Sequence, residues 1–111
     1  MLPPDLIPEA RILSGCEVTS KKRLLESLGE LLAEAGTDLN PDTVFERLLE
    51  RERLGSTGLG HGIALPHARI DEVMVPVGAF VQLRAGVAFD AIDDQPVDLA
   101  FALLVPREAD E

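Results

Sequence analysis

The chain has 111 residues, 46% of them apolar, 27% charged and 4% aromatic, and carries a net charge of −10 with both histidines neutral. A chain of this length makes one domain around one core, and a field this negative repels phosphate backbones and anionic lipid, so nucleic-acid and membrane-surface binding are not expected. The single cysteine, Cys16, excludes an internal disulfide. No apolar run approaches the roughly 18 residues that span a bilayer, and the N-terminus lacks a signal-peptide pattern, so a cytoplasmic location is expected.

In chain order, the first predicted element is a helix capped by Ser20. Leu24, Leu25, Leu28, Leu31, Leu32 and Ala35 recur at helical spacing until Gly36 stops the run. Lys21, Lys22 and Arg23 fall in its first turn, where the helix dipole disfavours positive charge. They mark either an anion or partner contact or, the expected case, a solvated surface turn. A second helix opens with Asn40-Pro41, a cap followed by proline at the first helical position, and ends at Gly55. Its buried stripe is Val44, Phe45, Leu48 and Leu49, with Arg47, Glu50, Arg51 and Glu52 on the other positions. Gly55, Gly58, Gly60 and Gly62 then fall close together and read as a loop. Residues 75–83 read as a strand beginning near Pro76 and weakened by Gly78. Residues 97–105, apolar from Leu99 onward, read as a strand buried on both faces. Asp90 to Pro96 supplies turn chemistry between them. Helices followed by strands imply an α/β (α+β) domain spanning 1–111. A strand covered on both faces needs helices on both sides, and nothing helical follows Val105. The C-terminal helical part is therefore expected to be missing.

Charge is unevenly spread: residues 71–111 hold two basic and nine acidic side chains. Asp90, Asp93, Asp94 and Asp98 and the C-terminal acids read as solvated loop residues. Together they would favour a partner with a basic docking face.

The glycine cluster is neither a phosphate loop, since no lysine follows residue 22, nor a dinucleotide fingerprint, since the strand and helix stand in the wrong order. His61 and His67 have no common metal-ligand spacing and no cysteine beside them, so no metal and no cofactor is expected. Nothing supports an activated Cys16–His67 pair. His67 has two readings, a hydrogen-bonded structural histidine or a nitrogen nucleophile. A neutral imidazole forms covalent intermediates near pH 7, a backbone carbonyl can hold its other nitrogen, and Pro66 restricts how the chain delivers it. Arg51 at the end of the second helix has a guanidinium suited to a phosphoryl group.

The stretch Arg51-Glu52-Arg53-Leu54-Gly55-Ser56-Thr57-Gly58-Leu59-Gly60-His61-Gly62-Ile63-Ala64-Leu65-Pro66-His67 resembles the signature of enzyme IIA domains of the bacterial phosphotransferase system, fructose–mannitol class, and within it the nitrogen-regulatory IIA proteins. Ser20-Lys21-Lys22-Arg23, Pro76-Val77-Gly78-Ala79 and the run from Phe89 to Leu99 are similar as well, so the likeness covers nearly the whole chain. The resemblance implies a mixed β-sheet flanked by helices on both faces. It also implies that His67 accepts a phosphoryl group from the phosphohistidine of an HPr-type phosphocarrier protein, and that Arg51 stands beside the phosphohistidine to stabilise the phosphoryl group. A second active-site histidine of the family falls beyond the end of this chain. His61 stands where relatives commonly have a polar residue such as asparagine, and is expected to project from the loop.

Three functions follow as expectations. The first is a phosphocarrier whose phosphorylation state regulates protein targets. The second is a sugar-specific IIA component passing phosphate to a IIB domain. The third, from another class, is an interaction module that is never phosphorylated. A sheet face left without helices is a surface that a homodimer would cover.

Overall fold

A computed structural model describes residues 6–107. After a short 3-10 turn, Glu9–Arg11, the chain forms β1 (Ile12–Cys16), α1 (Lys21–Ala33), α2 (Pro41–Leu54), β2 (Gly58–Gly60), β3 (Ile63–Ala64), β4 (His67–Ile70), β5 (Val77–Val87) and β6 (Val97–Pro106). Among the described residues no helix is long and apolar enough to cross a membrane.

Both helices start where the cap chemistry places them. Ser20 Oγ accepts from the Arg23 N–H at 3.1 Å, and Asn40 Oδ1 accepts from Asp42 and Thr43 N–H at 2.8 and 3.3 Å. Leu24, Leu25, Leu28 and Leu32 of α1 and Val44 and Leu48 of α2 are buried. Gly29 lets the helices close on each other: a Cβ there would sit 3.1 Å from the Pro41 carbonyl oxygen. α1 packs on β5 and β6, and α2 on β4.

The strands form a six-stranded mixed sheet in the order β1-β5-β6-β3-β2, with β4 also on β6. β6 is central: antiparallel to β5 on one side, and on the other parallel first to β3 (Ile63↔Leu99, Ala64↔Ala100) and then to β4 (His67↔Leu103 through Ile70↔Pro106). β3 and β4 are therefore one line of chain along β6, interrupted at Leu65-Pro66. Proline has no N–H to give the ladder. Its carbonyl still accepts from Leu103 N–H at 3.0 Å, so the interruption is pinned in place.

The structure corrects four expectations. The glycine stretch is a hairpin rather than a loop: β2 and β3 pair antiparallel across His61 (φ 56) and Gly62 (φ 79), the positive values a tight hairpin turn requires. The 75–83 strand runs on to Val87, with a register irregularity between Gln82 and Val87 absorbing the exposed Arg84 and the glycine at 86. Gly78 is not only a weak point, because a Cβ there would meet Ile7 Cγ1 at 2.8 Å. Finally, β6 is buried on one face only. Ala100, Ala102 and Leu104 lie in the core, whereas Phe101 is 44% exposed and packs against Phe80 of β5, ring centroids 4.7 Å apart and planes tilted by 51°. The mixed sheet stands as expected, but both helices of the described residues stand on the same face of it. β1, β2, β3 and β4 are short strands that periodicity alone does not reveal. The C-terminal acids Glu108 to Glu111 lie outside the described residues.

Candidate functional site

His67 opens β4, directly after the interruption at Pro66, which is fully buried. Because Leu65 is outside the β6 ladder, its carbonyl is available to the side chain two residues on. His67 Nδ1 lies 2.7 Å from the Leu65 oxygen. A carbonyl only accepts, so Nδ1 carries the proton and the lone pair resides on Nε2. The ring is half-buried. This is the backbone-held imidazole expected from the sequence.

His67 lines an open groove of about 700 Å³ between the C-terminal half of α2 and the edge strand β4, with Leu103 and Val105 of β6 as its apolar floor. Arg51 lines the same groove, so the two sequence-selected residues are brought together. Its Nη1 donates to the Gly55 carbonyl at 2.8 Å, which orients the guanidinium at the end of the helix without neutralising it. Three further arginines line the groove: Arg47, Arg69 and Arg107. Arg47 is paired with Glu50 at 2.9 Å and Arg107 with Asp71 at 2.8 Å. In a chain with a net charge of −10, four guanidiniums and one carboxylate, Glu50, thus line the groove that holds His67. An anion is the chemistry such a groove accepts. Sequence reading missed these three, although the signal was present. Arg47 and Arg51 are four apart on one helix face, and His67 and Arg69 are two apart on one strand face.

Behind the groove lies a network the sequence did not suggest. Glu52, assigned to the polar side of its helix, is 6% exposed. Its carboxylate accepts from Thr57 N–H at 3.0 and 3.2 Å and from Thr57 Oγ1 at 2.5 Å, and it pairs with Lys21 Nζ at 2.9 Å. Burial pushes the Glu52 carboxyl up, but the bonds from Thr57 and Lys21 outweigh it and hold it below the ordinary value. Lys21 also reaches Asp90 at 3.3 Å and stands over the Phe89 ring at 4.7 Å. The solvated-turn reading of the first helical turn is therefore wrong for Lys21: its charge is committed to a buried carboxylate.

His61 is exposed at the hairpin turn and does not line the His67 groove. Its backbone N–H donates to Asp93 Oδ2 at 2.9 Å, and Gln95 N–H donates to Asp93 Oδ1 at 3.1 Å. These two bonds, His61 first, hold the Asp93 carboxyl below its usual value. Asp93 is therefore a tie between two loops rather than a merely solvated acid. Cys16 lies on β1, with β5 and β6 between it and β4, so it forms no pair with His67.

Known proteins match this chain closely. A nitrogen regulatory protein of Escherichia coli K12 is 57% identical over 90 residues, covering 80% of this chain and 55% of that protein. A nitrogen regulatory protein of Pseudomonas aeruginosa is 50% identical over 107 residues, covering 96% and 70%. The crystal structure of nitrogen regulatory protein IIA-Ntr from Neisseria meningitidis superposes with a TM-score of 0.90 at 48% identity, covering 95% of this chain and 71% of that one. The chain thus spans between about half and seven-tenths of the length of these relatives. The family model for the phosphoenolpyruvate-dependent sugar phosphotransferase system, EIIA 2, matches residues 5–111. With that match over nearly the whole chain, and with the fold superposing on that of IIA-Ntr, the chain belongs to the type-2 enzyme IIA family of the phosphotransferase system.

Proposed function

We propose that this chain is a cytoplasmic phosphocarrier of the nitrogen-regulatory branch, taking a phosphoryl group onto His67 Nε2 from the phosphohistidine of an HPr-type carrier. The observation that carries the reading is the Nδ1 to Leu65 carbonyl bond of 2.7 Å, which leaves Nε2 as the nucleophilic nitrogen in a groove lined by arginines.

The step needs little covalent machinery. Nε2 attacks phosphorus in line, the bond from phosphorus to the donor's ring nitrogen breaks, and the departing donor imidazole keeps that electron pair. The transition state is loose, so positioning and charge stabilisation dominate. As the N–P bond forms, positive charge develops on the His67 ring, and the Leu65 carbonyl accepting from Nδ1–H stabilises it. Arg51 faces the equatorial phosphoryl oxygens with a fork whose orientation the Gly55 carbonyl sets. Nothing in this sequence of events calls on a cofactor.

The regulatory branch is favoured by identities of 50–57% to nitrogen regulatory proteins. In this role the phosphorylated and unphosphorylated forms differ by the charge at the groove, which regulated protein partners would read. The sugar-transport alternative uses the same His67 and differs in the acceptor, a IIB domain.

The test is incubation with a phosphorylated HPr-type carrier. Acid-labile label on the protein, absent from His67→Ala, is the expected result. A folded protein that takes no label from any such carrier would sink the reading. Efficient onward transfer to a purified sugar IIB domain would move the assignment to transport.

A further inference from the structure

Glu52 is a buried carboxylate that the transfer step does not touch. Burying a charge costs stability unless it is paired and hydrogen-bonded. What Glu52 holds is Thr57, itself only 4% exposed, by both its N–H and its hydroxyl. The Thr57 carbonyl in turn accepts from the Leu65 N–H at 3.0 Å, and the Leu65 carbonyl accepts from His67 Nδ1 at 2.7 Å. Every donor in this series points back toward the Glu52 carboxylate. Lys21, at the start of α1, closes the far end with its ion pair.

On the β6 side the chain is pinned one residue on, where the Pro66 carbonyl accepts from Leu103 N–H at 3.0 Å; this series fixes Leu65 from the hairpin side. The β2–β3 ladder has only the pairs Gly58↔Ala64 and Gly60↔Ile63, with an irregularity between them. The bond from Leu65 to Thr57 is the last rung of that hairpin, and beyond Thr57 the chain turns away through Ser56 and Gly55 into α2. A carboxylate gripping Thr57 by two donors fixes that end of the hairpin.

We propose that Glu52 is a positioning residue for His67: through Thr57 and Leu65 it fixes the carbonyl that keeps the proton on Nδ1 and the lone pair on Nε2. The consequence for phosphoryl transfer rests on the phosphocarrier reading. The consequence for the histidine tautomer does not.

Two variants test it. Glu52→Gln keeps the side-chain shape but loses the charge that Lys21 pairs with, and offers Thr57 one acceptor oxygen instead of two. Thr57→Val keeps the branched shape and the backbone donor and removes only the hydroxyl. Nitrogen-15 chemical shifts of the histidine ring read the tautomer directly. Wild-type protein is expected to show the single Nδ1–H form, and both variants a mixture of the two tautomers. In parallel, the transfer rate at saturating donor falls about tenfold to a hundredfold with the donor KM unchanged, the signature of a misaimed nucleophile. Either variant, folded and retaining the wild-type tautomer, overturns the proposal. If Glu52→Gln does not fold, Thr57→Val decides alone. If the variants shift the tautomer while wild-type protein takes no phosphoryl group, the positioning role stands and the phosphocarrier reading fails.

Discussion

Lys21 Nζ lies 2.9 Å from a carboxylate oxygen of Glu52, whose side chain is 3% exposed. This ion pair joins the first turn of α1 to the last turn of α2, across the segment that leads into the glycine hairpin. It explains a cation at a helix N-terminus, where the dipole alone disfavours it by a few tenths of a kcal/mol. A buried, hydrogen-bonded carboxylate left without its cation costs far more.

Lys21→Met should therefore destabilise the protein by about 3 kcal/mol, since it strands a buried charge. Urea denaturation of the variant and of Lys22→Met, its exposed neighbour, checks this. The neighbour is expected to change stability by less than about 0.5 kcal/mol.

Acid should unfold the protein partly through Glu52. Its folded-state value lies below the ordinary 4.5, so the unfolded chain binds the proton more readily. The stability from this group is complete above about pH 4.5, and is lost as the pH falls through the depressed folded value. Asp93 acts with the same sign below its ordinary 3.8. Stability measured from pH 7 down to 3 should fall, and the fall should be shallower in Glu52→Gln.

Arg51→Ala should leave the fold intact, because the side chain's hydrogen bond among the described residues is to the Gly55 carbonyl at the helix end. It should slow phosphoryl transfer about a hundredfold, the scale of losing one donor to a developing oxyanion. Arg51→Lys should recover only part of that rate, because an ammonium has no planar fork. Single-turnover kinetics separates the three proteins.

The hairpin turn gives an opposite expectation for His61. At φ 56 asparagine is well tolerated and a β-branched residue is strained. His61→Asn should transfer phosphate at the wild-type rate with unchanged or slightly higher stability. His61→Val should lose about 1–2 kcal/mol, measurable by thermal unfolding.

Much of this architecture could be read from residues. Ser20 and Asn40-Pro41 declared the helix starts, and the leucine spacing of α1 declared its buried face. The long apolar run in β6 marks it as a central strand of the sheet. Composition could not reveal that both helices of residues 6–107 stand on the side of Ala100, Ala102 and Leu104, leaving Phe101 on the other. The two- to four-residue strands β2, β3 and β4 were invisible because they exist through pairing with β6 and with each other, not through their own periodicity. At the site, His67 and Arg51 stood out by chemical type and by family resemblance. Glu52 did not, because a carboxylate beside two arginines at a helix end looks solvated. Only the fold brings Thr57 and Lys21 onto it.

The most direct measurement is the position of phosphorus on the modified protein, read by phosphorus-31 and nitrogen-15 NMR after transfer from an HPr-type carrier. A bond between phosphorus and Nε2 of His67, with Nδ1 still bearing its proton, is the predicted result. Phosphate on Nδ1 or on any other residue, or a folded protein that remains unmodified, would contradict it.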